Sequence, residues 1–258
     1  MPGNAINDPG FQTTRWSLVA ALDHARDTPG LQPLSTVPAR QRLLELCLRY
    51  WYPVYVYLRR SGHGAEAAQA LAANFFDTLL QRRGSGASRG HDGRFRTFLL
   101  AELHRFLAED AFAGGIGDHA MTSALDPDLP VPPLAQLEAR RQREGDAGGS
   151  PELALRRGFA LEVIAQAMRR IEDEAREAGR LPMFSALQPY LASDPVPGIY
   201  ADLAQRLDVS PLFLSLALKR LRERFRELVD DELAQTVASA AALEEERRSL
   251  HAALQSAA

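Results

Sequence analysis

The chain has very little cysteine and lysine, and it has no long apolar run. Cys47 is the single cysteine among 258 residues, so disulfides cannot hold the fold together. Its apolar surroundings favour a small buried side chain over a nucleophile or a metal ligand. No stretch reaches the roughly 18 apolar residues of a membrane span, and MPGNAINDPG lacks the basic and apolar parts of a signal peptide. These absences predict a cytoplasmic protein with no membrane partner.

The sequence also lacks an excess of charge of either sign and a recognisable catalytic pattern. The net charge is −3 and the pI is near 6.1, so attraction to nucleic acid has to come from local clusters. The histidines are scattered without metal-ligand spacing, and no acid and base are paired. The glycine-rich segment GSGASRG follows a predicted helix rather than a strand, which favours a flexible loop over a phosphate cradle. We therefore expect no enzyme activity, no metal and no cofactor.

Helical periodicity covers most of the chain, and no alternating apolar run supports a sheet. Helices are predicted at about 13–26, 39–58, 65–81 and 94–112, and Pro53 is expected to kink the second. This pattern predicts an all-α fold with a disordered N-terminus at 1–10 and a first helical domain at 11–112. Residues 113–150 are rich in Gly, Pro, Ala and charge, which predicts a flexible linker with a short helix near 134–141.

A second helical domain is predicted at 151–230, followed by a helical tail at 231–258. Ser150 and Pro151 form a typical helix start, and the tail carries Glu and Arg at helical spacing. Within the domain, YADLAQRLDVSPLFLSLALKRL has the spacing of a helix-turn-helix, with Asp208 in the turn and Ser210 as the cap of the second helix. The local basic surplus is mild. This segment alone supports a DNA-binding helix and a packing helix with a solvated Arg/Glu face equally.

Several segments carry a family resemblance: FQTTRWSLV, CLRYWYPVYVYLRRSGH, NFFDTLL, GRFRTFLL and YADLAQRLDVS followed by KRLRERFREL. In this order they resemble the extracytoplasmic-function sigma factors of bacterial RNA polymerase, in particular a subgroup with a long linker and a C-terminal tail. The resemblance implies a sigma region-2-like helical bundle at 11–112 and a region-4-like helix-turn-helix domain at 151–230. The partners it implies are core RNA polymerase and promoter DNA.

The resemblance also implies which side chains make these contacts. On the third helix the polymerase contacts would be Glu66, Gln69, Asn74 and Asp77. On the fourth the melted strand would meet Arg94, Arg96, Thr97, His104 and Arg105. In the helix-turn-helix the promoter contacts would be Ser210, Ser215, Lys219 and Arg222. The fourth helix also holds aromatic residues able to stack on bases, although their spacing favours core packing: Phe95, Phe98 and Phe106.

The chain departs from the family pattern on these contact surfaces. Where the family usually has a run of carboxylates, the third helix has Ala67, Gln69, Ala70 and Asn74, and AFAGGIG stands where arginines are common. The recognition helix begins with apolar residues instead of polar or small ones. Two hypotheses follow. The first is a sigma-like initiation factor. The second is a diverged sigma-fold protein with weak or no promoter recognition, in which a protein or regulatory partner docks on Leu212, Phe213 and Leu216.

Overall fold

The computed structural model of the protein describes residues 36–81, 93–112, 129, 131–145, 148–196 and 198–255. In these residues every regular element is a helix, and β-type pairing is limited to one isolated bridge, so the all-α prediction is confirmed. The predicted disordered N-terminus at 1–10, the helix at 13–26 and the GSGASRG loop lie outside the described residues.

The helices follow the predicted positions closely. In chain order they are α1 (Thr36–Arg49), α2 (Trp51–Arg60), α3 (Ala65–Gln81), α4 (Phe95–Phe112), α5 (Leu134–Glu144), α6 (Pro151–Glu177), α7 (Leu181–Leu187), α8 (Ile199–Leu207), α9 (Pro211–Ala234) and α10 (Ala240–Gln255). A short 3-10 turn, Gln188–Tyr190, continues α7. Ser150 caps α6, because its Oγ accepts the N–H of Leu153 at 3.3 Å.

Pro53 does not kink a long helix, which corrects the expectation from the sequence. The chain breaks instead at Tyr50, between α1 and α2, where φ is −106° and ψ is 22°. Pro53 therefore lies in the first turn of α2. Its missing N–H breaks no intrahelical hydrogen bond there, so the helix continues through it undisturbed.

The described residues form two compact units. The first contains the described residues up to Glu162 and those from Leu233 onward, and the second spans Val163–Glu232. These boundaries differ from the predicted domains at 11–112 and 151–230. Helix α5 of the predicted linker, the first half of α6 and the tail helix α10 all belong to the first unit.

The first unit has an aromatic core. The rings of Tyr50 and Phe159 stack in parallel with their centroids 4.0 Å apart, which joins the start of α2 to α6. Trp51, Phe76 and Phe95 are buried around them and add contacts from α2, α3 and α4. Large rings bury more apolar area than any other side chains, so this cluster supplies much of the unit's hydrophobic stabilisation.

A glycine sets the distance between α2 and α6. A Cβ built at Gly158 would lie 3.2 Å from the Cα of Pro53, closer than side chains normally approach a backbone. The missing side chain at Gly158 thus allows α6 to lie directly against α2. The same close approach brings Phe159, the next residue, onto Tyr50.

Charged side chains attach α5 to α2. The hydroxyl of Tyr55 and the Nε of Arg59 both donate to the carboxylate of Glu138, the latter at 3.0 Å. Burial alone would raise the pKa of Glu138, but hydrogen bonds from Tyr55, Arg141 and Arg59 hold it below its ordinary value. Burial raises the pKa of Tyr55, and its hydrogen bond to Glu138 adds to the rise. Part of the predicted linker is thus tied to the first unit.

The second unit contains the helix-turn-helix, which two apolar clusters pack against the rest of the unit. The first cluster joins α7, α8 and α9 through Leu187, Leu203, Ala204, Leu214 and Leu218. The second joins α6, α7 and the later part of α9 through Ala167, Ile171, Phe184 and Leu228. Because α9 contributes to both clusters, its inward face is fixed along most of its length, and its outward face is the surface available to partners.

Candidate nucleic-acid and protein interfaces

The turn of the helix-turn-helix has the geometry that the sequence predicts. Asp208 ends α8 in the left-handed region, with φ 52° and ψ 47°, and its N–H donates to the carbonyl of Ala204. Asp accepts this conformation more readily than most residues other than glycine. The Oγ of Ser210 then accepts the N–H of Phe213 at 3.2 Å and caps α9.

Lys219 is the most accessible of the predicted promoter contacts on α9. Its side chain is 73% exposed, and the nearest carboxylate, that of Glu223, lies 4.0 Å from its Nζ. Ser210 is exposed as well. Ser215 is half-buried, and its hydroxyl donates to the carbonyl of Leu212 at 2.8 Å, so its proton is already used within the helix.

Arg222 lies on the same helix, but its guanidinium is occupied inside the protein. It donates to the carbonyl of Tyr190 from Nε at 3.1 Å and from Nη2 at 2.7 Å, and to the carbonyl of Ser193 at 2.8 Å. Nη1 donates to the carboxylate of Asp194 at 2.8 Å. The carbonyl of Tyr190 lies at the end of the 3-10 turn and that of Ser193 lies three residues farther on, so Arg222 satisfies backbone groups left open where the helical segment ends. This role differs from the phosphate contact expected from the sequence.

An apolar patch occupies the first turns of α9. Leu212 is 69%, Phe213 48% and Leu216 49% exposed. In the described part of the chain the other exposed large apolar residues are Val131 and Val196, neither of which lies on this helix. Three large apolar side chains grouped on one helix end are unusual for a surface that meets only water. The predicted docking residues are therefore exposed together.

The apolar patch opens onto a groove of about 580 Å³ within the second unit. Phe213 and Leu216 form one wall, and α6 and α7 supply apolar residues that include Ile171, Met183, Phe184 and Leu187. Arg180 and Arg220 border the groove, are exposed, and have no ion-pair partner in the described part of the chain. An apolar groove bordered by two available cations matches an amphipathic segment that carries carboxylates.

Arg224, also at the groove, is held differently. Its Nη2 lies 2.6 Å from the carboxylate of Glu174, and its Nη1 lies 2.9 Å from that of Glu227. The hydrogen bonds from Arg224 hold the pKa of Glu174 below its ordinary value, and the hydrogen bonds to Glu174 and Glu227 raise the pKa of Arg224. Arg224 is thus less available to a partner than Arg180 and Arg220.

The predicted strand-contacting residues of α4 divide into two groups. Arg96 is only 7% exposed, and it makes a bidentate ion pair with Glu246 of α10 at 2.8 and 2.9 Å. Arg94 is mostly buried, with a side chain 15% exposed, and lies 4.0 Å from Glu245. These two arginines at the start of α4 therefore face α10 and not solvent.

Farther along α4 the predicted contacts are more accessible. His104 and Arg105 are exposed, and Thr97 is half-buried. The Nε2 of His104 lies 2.9 Å from the hydroxyl of Tyr57, and Arg105 pairs with Glu102. Among the aromatic residues of α4, Phe95 is 0% and Phe98 5% exposed, and Phe106 packs edge-on against Phe75, so their expected role in the core is confirmed.

The predicted polymerase contacts on α3 are only partly exposed. Glu66 is exposed and Asn74 is half-buried. Gln69 donates from Nε2 to the carbonyl of Pro132 at 2.7 Å, which ties it to the segment before α5. Asp77 is 6% exposed and accepts a hydrogen bond from Gln81 at 2.6 Å. Glu66 is thus the most accessible of the four.

Sequence reasoning missed Glu246, the buried partner of Arg96. A signal for it was present, since α10 buries Ala242, Glu246, Leu250 and Ala253, which recur every three or four residues. A carboxylate within an apolar stripe needs a buried cation, because an unpaired charge in that position is strongly unfavourable. The identity of that cation could not be read from the tail itself.

A scan against family models, curated proteins and solved structures returned no match for this chain. Within the described residues no group of His, Cys, Asp and Glu is arranged to hold a metal ion. None of the described helices combines the length and the apolar character needed to cross a bilayer.

Proposed function

We propose that the chain is a sigma-like transcription initiation factor that binds core RNA polymerase and promoter DNA. The observation that carries this proposal is the helix-turn-helix in the second unit, with its left-handed turn at Asp208 and its capped second helix. Ser210, which caps this helix, and Lys219, which lies on it, are both exposed to solvent. The family resemblance of the sequence adds the polymerase as the second partner.

The promoter-contacting set in this proposal is smaller than the sequence implied. Ser210 and Lys219 remain, and Arg220 joins them as an exposed cation without an ion-pair partner in the described residues. Phosphate contacts supply most of the affinity of such proteins, so a small set predicts weak binding with a shallow salt dependence. His104 and Arg105 supply the accessible polar groups on α4.

The test is to mix the purified protein with core RNA polymerase and look for co-elution at low salt. The complex is then assayed for transcription from a promoter library. Co-elution together with initiation at a defined set of sequences supports the proposal. A protein that runs apart from the polymerase at low salt would contradict it.

A second function, docking of a partner protein on the second unit, is favoured by the exposure of Leu212, Phe213 and Leu216. The occupant that fits is an amphipathic helix whose apolar side enters the groove while its carboxylates meet Arg180 and Arg220. Synthetic helical peptides with one leucine face and either acidic or basic flanks test this directly. Binding of the acidic peptide alone supports docking, and equal binding of both peptides, or of neither, rejects it.

A further inference from the structure

The segment that leads into α10 is joined to the start of α4 by backbone hydrogen bonds. The N–H of Phe95 donates to the carbonyl of Thr236, and the N–H of Ala238 donates to the carbonyl of Gly93, both at 2.8 Å. Together they form the antiparallel bridge between Arg94 and Val237. The tail therefore lies directly over the first turn of α4.

Side chains continue this contact beyond the bridge. The guanidinium of Arg96 binds both carboxylate oxygens of Glu246, and its Nη2 also donates to the Oγ of Ser249 at 3.1 Å. Glu246 is 0% exposed, so this ion pair is removed from water. In this arrangement Arg96 cannot reach a ligand in solution.

A phosphate group would need the same donors. Arginine binds carboxylate and phosphate with the same planar pair of N–H groups, so Glu246 and a phosphate exclude each other at Arg96. We propose that α10 is an autoinhibitory cover that competes with the backbone of single-stranded DNA for Arg94 and Arg96. The proposal rests on the function proposed above for its choice of nucleic acid as the ligand.

The composition of α10 makes its release feasible. Its buried residues are two alanines, Glu246 and one large apolar side chain, Leu250, so hydrophobic burial holds the helix only moderately. The buried ion pair adds less than its geometry suggests, because both charges lose their hydration. On release Glu246 regains water while Arg96 gains a phosphate. The exchange thus replaces one charge-assisted pair with another.

The experiment measures binding of a fluorescein-labelled single-stranded oligonucleotide of mixed sequence to the full chain at several salt concentrations. Glu246→Gln removes the competing charge and should increase affinity. The salt dependence should steepen by about 0.7 in log–log slope for each regained phosphate contact. Glu244→Gln is the matched control, because Glu244 is exposed on the same helix and pairs with Arg247. It should leave the slope unchanged.

Two further variants keep the test decisive. Leu250→Ala weakens the attachment of α10 without leaving a buried charge unpaired, so it should steepen the slope even if Glu246→Gln loses helix content by circular dichroism. Arg96→Gln is then added to Glu246→Gln or to Leu250→Ala, whichever of the two is folded. The combined variant should bind the oligonucleotide with a salt slope close to that of the unmodified chain. If the folded opened variants bind with the slope of the unmodified chain, α10 is only a structural helix and the proposal is overturned.

Co-elution with core polymerase separates this inference from the function on which it rests. If the chain co-elutes but neither opening substitution raises its DNA affinity, the proposed function stands and the autoinhibitory role of α10 is rejected. If an opening substitution raises DNA affinity but the chain never co-elutes, the role of α10 stands and polymerase binding is rejected.

Discussion

Arg222 and Tyr190 are joined by two hydrogen bonds from one guanidinium to one carbonyl, at 3.1 and 2.7 Å. The contact connects α9, the second helix of the helix-turn-helix, to the end of the 3-10 turn after α7. A side chain on the face of α9 that was expected to meet DNA thus stabilises the fold of the second unit.

Replacing Arg222 with alanine should therefore lower stability more than it weakens DNA binding. The substitution leaves the carbonyls of Tyr190 and Ser193 without a charged donor, and a loss of about 2 kcal/mol in unfolding free energy is expected. Urea unfolding followed by circular dichroism measures it. Arg226→Ala is the control, because Arg226 is exposed on the same helix. Equal stability of the two variants, with a shallower salt slope for Arg222→Ala, would instead identify Arg222 as a phosphate contact.

Lys219→Ala should change DNA binding without changing stability. Its side chain is 73% exposed, so its loss creates no buried gap. If it meets one phosphate, the log–log salt slope of promoter binding should fall by about 0.9, and Lys219→Arg should preserve it. A slope that is the same for all three proteins would remove Lys219 from the interface.

The double substitution Leu212→Asp and Leu216→Asp should abolish binding of an acidic amphipathic peptide. It should alter stability by no more than about 0.5 kcal/mol, because Leu212 is 69% and Leu216 49% exposed. Charge reversal gives the matched test. With Arg180→Glu and Arg220→Glu the groove should prefer the basic peptide over the acidic one, as measured by fluorescence titration. An unchanged preference would show that these arginines do not select the partner.

Adding a carboxylate to α3 should strengthen polymerase binding if this helix is the contact surface. Ala70→Asp suits the purpose because Ala70 is exposed, whereas Gln69 already donates to Pro132. We expect co-elution with core polymerase to persist to higher salt. Repulsion between the new carboxylate and Glu66 should destabilise the helix by about 0.3 kcal/mol. Ala70→Asn is the neutral control. If Ala70→Asp and Ala70→Asn co-elute with the polymerase equally well, the added charge does not contribute to binding.

The hydrogen bonds of Glu138 with Tyr55, Arg59 and Arg141 predict how stability depends on pH. Because the folded state holds the pKa of Glu138 below its ordinary value of 4.5, the carboxylate contributes stability that is fully present above pH 4.5. That contribution is lost as the pH falls through the lowered folded pKa. Glu138→Gln should lower the unfolding free energy at neutral pH by about 1 to 3 kcal/mol and flatten its acid dependence. Thermal unfolding between neutral pH and pH 3 would check both expectations. If Glu138→Gln shows the same acid dependence as the unmodified chain, Glu138 does not stabilise the fold in this way.

Local sequence signals predicted the positions of the helices well, but they could not identify contacts between residues that are distant in the chain. Periodicity placed the helices, and the cap at Ser210 and the turn at Asp208 followed from the preferences of single residues. The ion pair of Arg96 with Glu246 joins residues 150 positions apart, and no local pattern identifies such a partner. The family resemblance implied that Arg96 contacts the melted strand. It did not reveal that the folded chain already supplies an acceptor for this guanidinium.

The division into two compact units also depends on contacts between distant residues. The composition of residues 113–150 indicated a linker, yet α5 is attached to α2 by Glu138 and its neighbours. Gly158 shows the same limitation, since its packing role depends on Pro53, which is distant in sequence. Such contacts are set by tertiary geometry and leave no trace in a single local segment.

The division of the first unit between both ends of the described chain affects how the protein is made. Residues 163–232 are contiguous, so the second unit holds all of its own chain before synthesis is complete. The first unit instead waits for residues from Leu233 onward, and α10 is the last described helix to leave the ribosome. During that interval the arginines at the start of α4 have no tail partner. A ribosome stalled before α10 would thus present a nascent chain whose second unit is complete and whose first unit still lacks its last described helix.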